Sequence, residues 1–120
     1  MNILYLEDSL PDIELLTRYM RIVNADFLVE RTIDGAKRCL SEKPIDIFLV
    51  DIVLGDQLTF PLIRTVVEQR LSRYVVAVTA RALPSECRQY LKIGCDAVLA
   101  KPFTIDDLEN TLNRLNGKTR

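Results

Sequence analysis

At 120 residues the chain has room for one domain, and 16 Lys and Arg against 17 Asp and Glu leave a formal net charge of −1. Hydrophobic residues make up 48% and charged residues 28%, the balance of a folded globule rather than a disordered chain. Near-neutral charge argues against bulk attraction to nucleic acid or anionic lipid, and the absence of histidine removes His-based triads, His-ligated zinc and any phosphohistidine on the chain itself.

The elements alternate from the first residues. Ile3-Leu4-Tyr5-Leu6 is a short apolar run, with no basic region before it and too little length for a signal peptide. Nothing in the chain approaches the run of about 18 apolar residues that spans a bilayer, so a cytoplasmic location is expected. Ser9, with Asp12 three residues on and Pro11 in the first turn, opens a helix whose face carries Ile13, Leu16, Met20 and Val23. Phe27-Leu28-Val29 is a second strand. Asp34 is expected to cap a short helix through Ala36, Cys39 and Leu40, which has ended by Pro44.

Ile47-Phe48-Leu49-Val50, apolar on both faces, suits the middle of a parallel sheet. A helix with Ile63, Val66 and Val67 follows, then a strand over Tyr74–Val78. Pro84 opens a helix bearing Cys87, Tyr90 and Leu91, with Gly94 as its C′ residue. Ala97–Ala100 is the fifth strand. Thr104 and Asp107 form a capping pair before Ile105, Leu108, Leu112 and Leu115, and Gly117 falls just past that helix. Cys39, Cys87 and Cys95 lack CxxC spacing and are expected to be small core residues in a reducing compartment. Five strand–helix units with short connections imply one α/β domain over residues 1–117, a parallel sheet covered on both faces, and a solvated end at 118–120.

The polar residues collect where the strands end. Glu7-Asp8 follows strand 1, Asp51 ends strand 3, Thr79 ends strand 4, and strand 5 runs into Lys101-Pro102. In an open parallel sheet these positions share the carboxyl edge, where such folds place ligands, and a 2-1-3-4-5 strand order brings Glu7, Asp8 and Asp51 into one crevice. Three adjacent carboxylates do not all ionise comfortably unless something positive joins them. Hard oxygen ligands in small number suit Mg²⁺, and Lys101 adds a second positive charge. Such a site is poised for a phosphoryl group, with the metal and lysine on its oxygens and a carboxylate attacking in line. Spacing alone does not say whether the chemistry stops at binding, nor which carboxylate attacks. Each element also has an ordinary reading when taken singly: a helix-start acidic pair, a solvated strand end, a turn hydroxyl, a surface Lys-Pro.

Leu6-Glu7-Asp8, Val50-Asp51, Val78-Thr79-Ala80 and Ala100-Lys101-Pro102-Phe103, in order and one per strand end, resemble the receiver domain of two-component response regulators. That resemblance implies a flavodoxin-like fold and a signalling switch rather than a metabolic enzyme. It implies that Asp51 accepts a phosphoryl group from a phosphohistidine on a histidine kinase or histidine phosphotransfer protein. Glu7, Asp8, Asp51 and the backbone carbonyl of Val53 would hold Mg²⁺. Thr79 and Lys101 would bind the phosphoryl oxygens, with Lys101-Pro102 cis. Phosphorylation would change the face formed by helix 4, strand 5 and helix 5 for a downstream effector or output domain, or for a second copy of the chain. Neither nucleic acid nor membrane is expected as a direct partner.

Two positions depart from the family pattern. Val98 stands where an aromatic residue usually follows the threonine, and Gly55-Asp56 replaces a proline in the loop after the phosphoacceptor, so helix 3 is expected to start differently. The alternative is a pseudo-receiver, an interaction module that works without phosphorylation; the intact set Glu7, Asp8, Asp51, Thr79 and Lys101 speaks against it. A phosphohydrolase would want a second Asp where Val53 stands, and a nucleotide binder a glycine-rich loop where Glu7-Asp8-Ser9 stands. No length remains for an output domain, so the chain is expected to be either a regulator acting by contact or part of a larger protein.

Overall fold

The computed structural model describes residues 1–116, so the roles expected for Gly117 and residues 118–120, and the domain boundary between them, lie outside the described residues. The chain begins β1 (Ile3–Leu6), α1 (Leu10–Ile22), β2 (Phe27–Glu30), α2 (Ile33–Glu42) and β3 (Ile45–Asp51). A small hairpin, β4 (Val53–Leu54) and β5 (Gln57–Leu58), precedes α3 (Phe60–Gln69) and β6 (Ser72–Thr79). α4 (Pro84–Lys92), β7 (Ala97–Ala100) and α5 (Ile105–Asn116) complete it.

The main sheet has five parallel strands in the order β2-β1-β3-β6-β7, which is the expected 2-1-3-4-5 once the hairpin strands are set aside. Both faces of the sheet are buried, which is why its strands read as continuous apolar runs. Ile3, Tyr5, Ile47 and Leu49 face α1 and α5 with Leu16, Met20, Leu108, Leu112 and Leu115. Leu4, Leu6, Phe48 and Val50 face α2, α3 and α4 with Leu40, Ile63, Val66 and Tyr90. The register Leu4↔Phe48 and Leu6↔Val50 carries the two strand ends to the same edge.

Three local expectations change. The cap of α2 is Thr32, whose side chain accepts from Gly35 N at 3.0 Å, and Asp34 sits inside the first turn. Thr32 adopts the extended backbone that an N-cap needs (φ −130°, ψ 155°), a conformation a residue already in the helix cannot take. Thr32→Ala is therefore expected to lower stability by about 1 kcal/mol in urea unfolding, and Asp34→Ala by only a few tenths. Cys39 and Cys95 are buried as expected, whereas Cys87 is partly exposed on α4, beside an exposed Leu91. Burial raises the thiol of Cys39 and pushes that of Cys95 up to about 12, which leaves both inert as nucleophiles.

The loop after β3 is the hairpin itself. Val53 pairs with Leu58 and Leu54 with Gln57, leaving Gly55-Asp56 as a two-residue turn with Gly55 at φ +62°. A type II′ hairpin turn puts glycine at that first central position. Thr59, fully buried, donates its hydroxyl to the carbonyls of Asp51 at 2.6 Å and Ile52 at 3.2 Å. It ties the start of α3 to the end of β3. Gly94 follows the α4 C-cap Ile93 at φ +116°, the expected C′ role. Thr104 and Asp107 cap α5 reciprocally, at 2.9 and 3.1 Å.

Candidate functional site

Parallel register puts Leu6 opposite Val50, and Asp51 opposite Val78, so the residues just beyond β1, β3 and β6 lie side by side. Glu7, Asp8 and Asp51 each bring a carboxylate oxygen within 4.8 Å of the others. Glu7 is 1% exposed and Asp51 7%. Buried carboxylates so close together persist only with strong compensation.

Lys101 supplies part of it. Its Nζ donates to Glu7 Oε1 at 2.5 Å, Asp12 Oδ2 at 2.9 Å and Asp51 Oδ2 at 3.3 Å. β7 delivers this side chain, and the Lys101-Pro102 peptide bond is cis, as the resemblance implied. Burial would lower the Lys101 ammonium, but its bonds to Glu7 and Asp12 and the charge of Asp51 hold it well above its ordinary value. Glu7 goes the other way from an ordinary carboxyl: burial raises it, the Asp51 side chain adds to that, and Lys101 pulls against both. Its oxygens also accept from Tyr5 Oη at 3.1 Å and from the backbone N–H groups of Asp8 at 3.0 Å and Ser9 at 3.3 Å. The Tyr5 phenol, buried beside these carboxylates, is raised well above its usual range.

Asp12 is a member of this site that sequence reasoning placed only in a helix cap. Ser9 does cap α1, accepting from Asp12 N at 3.5 Å, but the Asp12 carboxylate reaches Lys101. Burial would raise it, yet Lys101 holds it below its ordinary value. The available signal was position: a third carboxylate, in the first turn after Glu7-Asp8, belongs to the same sheet edge.

The remaining residues flank the cluster. Asp51 Oδ1 accepts from Val53 N at 3.2 Å, so the amide of Val53 orients the carboxylate. Thr79, 2% exposed, ends β6, and its hydroxyl oxygen accepts from Arg81 N at 2.9 Å. Val98 is half-buried and packs on the α3/α4 side of the sheet.

Glu7, Asp8, Asp12 and Asp51 set four carboxylates against the single ammonium of Lys101, leaving three formal negative charges when all are ionised. A hard-oxygen set of this charge fits a small divalent cation in chemistry and spacing. Among the described residues, no helix is long and apolar enough to cross a membrane.

Comparison with known proteins agrees with this arrangement. The family model described as the response regulator receiver domain matches residues 3–113. The sensor histidine kinase RcsC of Salmonella typhi is 38% identical over 77 residues, which cover 64% of this chain and 8% of that protein. The heme response regulator HssR of Staphylococcus saprophyticus is 25% identical over 105 residues, 88% of this chain and 46% of that one. The chain thus spans well under two-thirds of the length of either relative. Among solved structures, the receiver domain of the Francisella response regulator 1452 superposes with a TM-score of 0.88 at 21% identity, over 99% of this chain and 98% of that one.

Proposed function

Because the chain belongs to the response regulator receiver domain family, we propose that it is a phosphorylation switch whose acceptor is Asp51. The observation that supports this most directly is the convergence of Asp51 with Glu7, Asp8 and Lys101 at one sheet edge. An oxygen of Asp51 attacks the phosphorus of a partner's phosphohistidine; the new O–P bond forms as the P–N bond breaks and the imidazole leaves. Glu7, Asp8, Asp51 and the Val53 carbonyl would hold Mg²⁺, which supplies positive charge to the phosphoryl oxygens when bound.

The chain's own residues do the rest. The Val53 amide fixes one oxygen of Asp51, and Lys101 sits on the other, ready to pair with the incoming charge. Thr79 offers its hydroxyl to the phosphoryl oxygens. The three other donors on Glu7, the Tyr5 hydroxyl and the backbone N–H groups of Asp8 and Ser9, keep that carboxylate in place while Lys101 changes partners. The donor is a histidine kinase or histidine phosphotransfer protein. The result is read by a downstream effector, an output domain or a second copy of the chain, in the cytoplasm.

Intact mass after incubation with a small acyl-phosphate donor tests this reading. One phosphoryl group should be gained in the presence of Mg²⁺, little without it, and none by Asp51→Asn. A folded protein that binds Mg²⁺ and gains no mass would instead be a phosphorylation-independent interaction module.

A further inference from the structure

Arg81 lies in the segment between β6 and α4, and side chains hold both of its backbone polar groups. Its N–H donates to the Thr79 hydroxyl oxygen at 2.9 Å. Its carbonyl accepts from the Tyr90 phenol at 2.7 Å. One residue is therefore clamped between the hydroxyl at the phosphoryl site and a side chain of α4. Tyr90 is 2% exposed, and its ring lies 6.0 Å from that of Phe60, so the phenol is fixed by packing between α3 and α4. Burial raises the phenol above its ordinary value, and the Thr79 side chain works against that rise.

The clamp has a mechanical consequence. A Thr79 hydroxyl drawn toward a phosphoryl group on Asp51 either lets go of the Arg81 N–H or carries residues 80–83 with it. In the first case the segment that carries the Arg81 carbonyl loses its anchor, and in the second the carbonyl shifts relative to the phenol. A buried phenol that loses its acceptor is costly to leave unsatisfied, so the ring, and α4 with it, must readjust. At Val98 a branched aliphatic side chain has no polar atom to register such a change.

We propose that Tyr90 is the residue that relays the state of the phosphoryl site to α4, through the Thr79–Arg81–Tyr90 hydrogen bonds. This rests on Asp51 being the phosphoacceptor. Tyr90 is a positioning residue: it does not touch the reacting atoms, and Tyr90→Phe removes only its hydroxyl while keeping the ring in the core.

The test uses beryllium fluoride with Mg²⁺ as a stable stand-in for the aspartyl phosphate, on the wild-type chain and on Tyr90→Phe. Fluorine NMR reports binding, and amide and tyrosine-ring NMR report the response of the protein. Both proteins should bind the probe with similar affinity. In the wild type the Tyr90 ring and the amides of Arg81 and Cys87–Leu91 should shift. In Tyr90→Phe the α4 shifts should shrink by about fivefold, the equilibrium weight of one net hydrogen bond, while the Thr79 amide still responds. A silent Tyr90 ring in the probe-bound wild type, or an undiminished α4 response in Tyr90→Phe, overturns the relay and leaves the acceptor role of Asp51 standing. Failure of the wild type to bind the probe removes the acceptor reading and the relay together.

Discussion

Lys101→Met is expected to lose about 2–4 kcal/mol of stability at neutral pH without divalent metal. The substitution keeps most of the stem's volume and removes the ammonium that pairs with Glu7, Asp12 and Asp51. What remains is a 1%-exposed Glu7 side chain beside a 10%-exposed Asp51 side chain, with no cation between them. The loss stays below the full value of a buried pair because Lys101 keeps 18% exposure and the Asp12 contact is screened by water. The pH dependence follows from Glu7, whose carboxyl is already raised by burial and by Asp51. Without Lys101 it rises further. A carboxyl with a raised folded-state pKa favours folding below its unfolded pKa, and that contribution is lost as pH rises through the folded value. The variant should therefore approach wild-type stability in acid and fall behind as Glu7 ionises. Wild type also loses its Asp12–Lys101 pairing as pH falls through the carboxylate range, since Asp12 is the depressed partner, and the two curves converge. Urea unfolding across this range, with and without Mg²⁺, is the measurement. Mg²⁺ should stabilise the variant more than the wild type, because it meets one more uncompensated charge. An equal deficit at every pH would show that lost packing, not charge, is responsible.

Gly94→Ala is expected to cost a further comparable amount, about 2–4 kcal/mol, although it lies far from the carboxylates in the chain. Gly94 has φ +116°, a region that side chains with a Cβ rarely adopt. A Cβ there would also stand 2.6 Å from Val67 Cγ1 and 2.9 Å from Cγ2. Val67 is branched at its own Cβ and sits on α3 packed against the core, so it has little freedom to withdraw. Two separate penalties add, and a double mutant separates them. Val67→Ala in the Gly94→Ala background should recover the steric part and leave the backbone part, roughly 1–3 kcal/mol. A single mutant within about 0.5 kcal/mol of wild type would mean that the α4–β7 connection relaxes at no cost, against the packed turn seen here.

The main features of the fold were legible because their causes are local. Apolar runs of four to eight residues alternate with helical spacing, so the five main-sheet strands and five helices could be placed in order. The edge that gathers Glu7, Asp8, Asp51, Thr79 and Lys101 followed from the strand order alone. The hairpin at Val53–Leu58 was less legible, since two-residue strands carry no periodicity; only Gly55 hinted at a turn. Thr32 and Asp34 both have capping chemistry, and the choice between them depends on which residue stays extended as β2 hands over to α2. Cys87 and Leu91 shared the helical spacing of Tyr90, but α4 is amphipathic over a narrower arc than their apolarity suggested.

Side-chain partners across the sheet edge were of another kind. Asp12 and Lys101 are 89 residues apart, and Thr59 holds the backbone of Asp51 from eight residues away. Tyr90 meets Arg81 only because α4 folds back over the end of β6. Residue type and spacing were sufficient for the α/β fold class and the acidic strand ends, since both are set by backbone periodicity and by where strands must end, whereas the 2-1-3-4-5 order was a supposition that the sheet bears out. Which carboxylates share Lys101, and which ring closes on the loop after Thr79, depended on packing. A hydrogen bond is decided within a few tenths of an ångström, and that distance exists only once the helices are seated on the sheet.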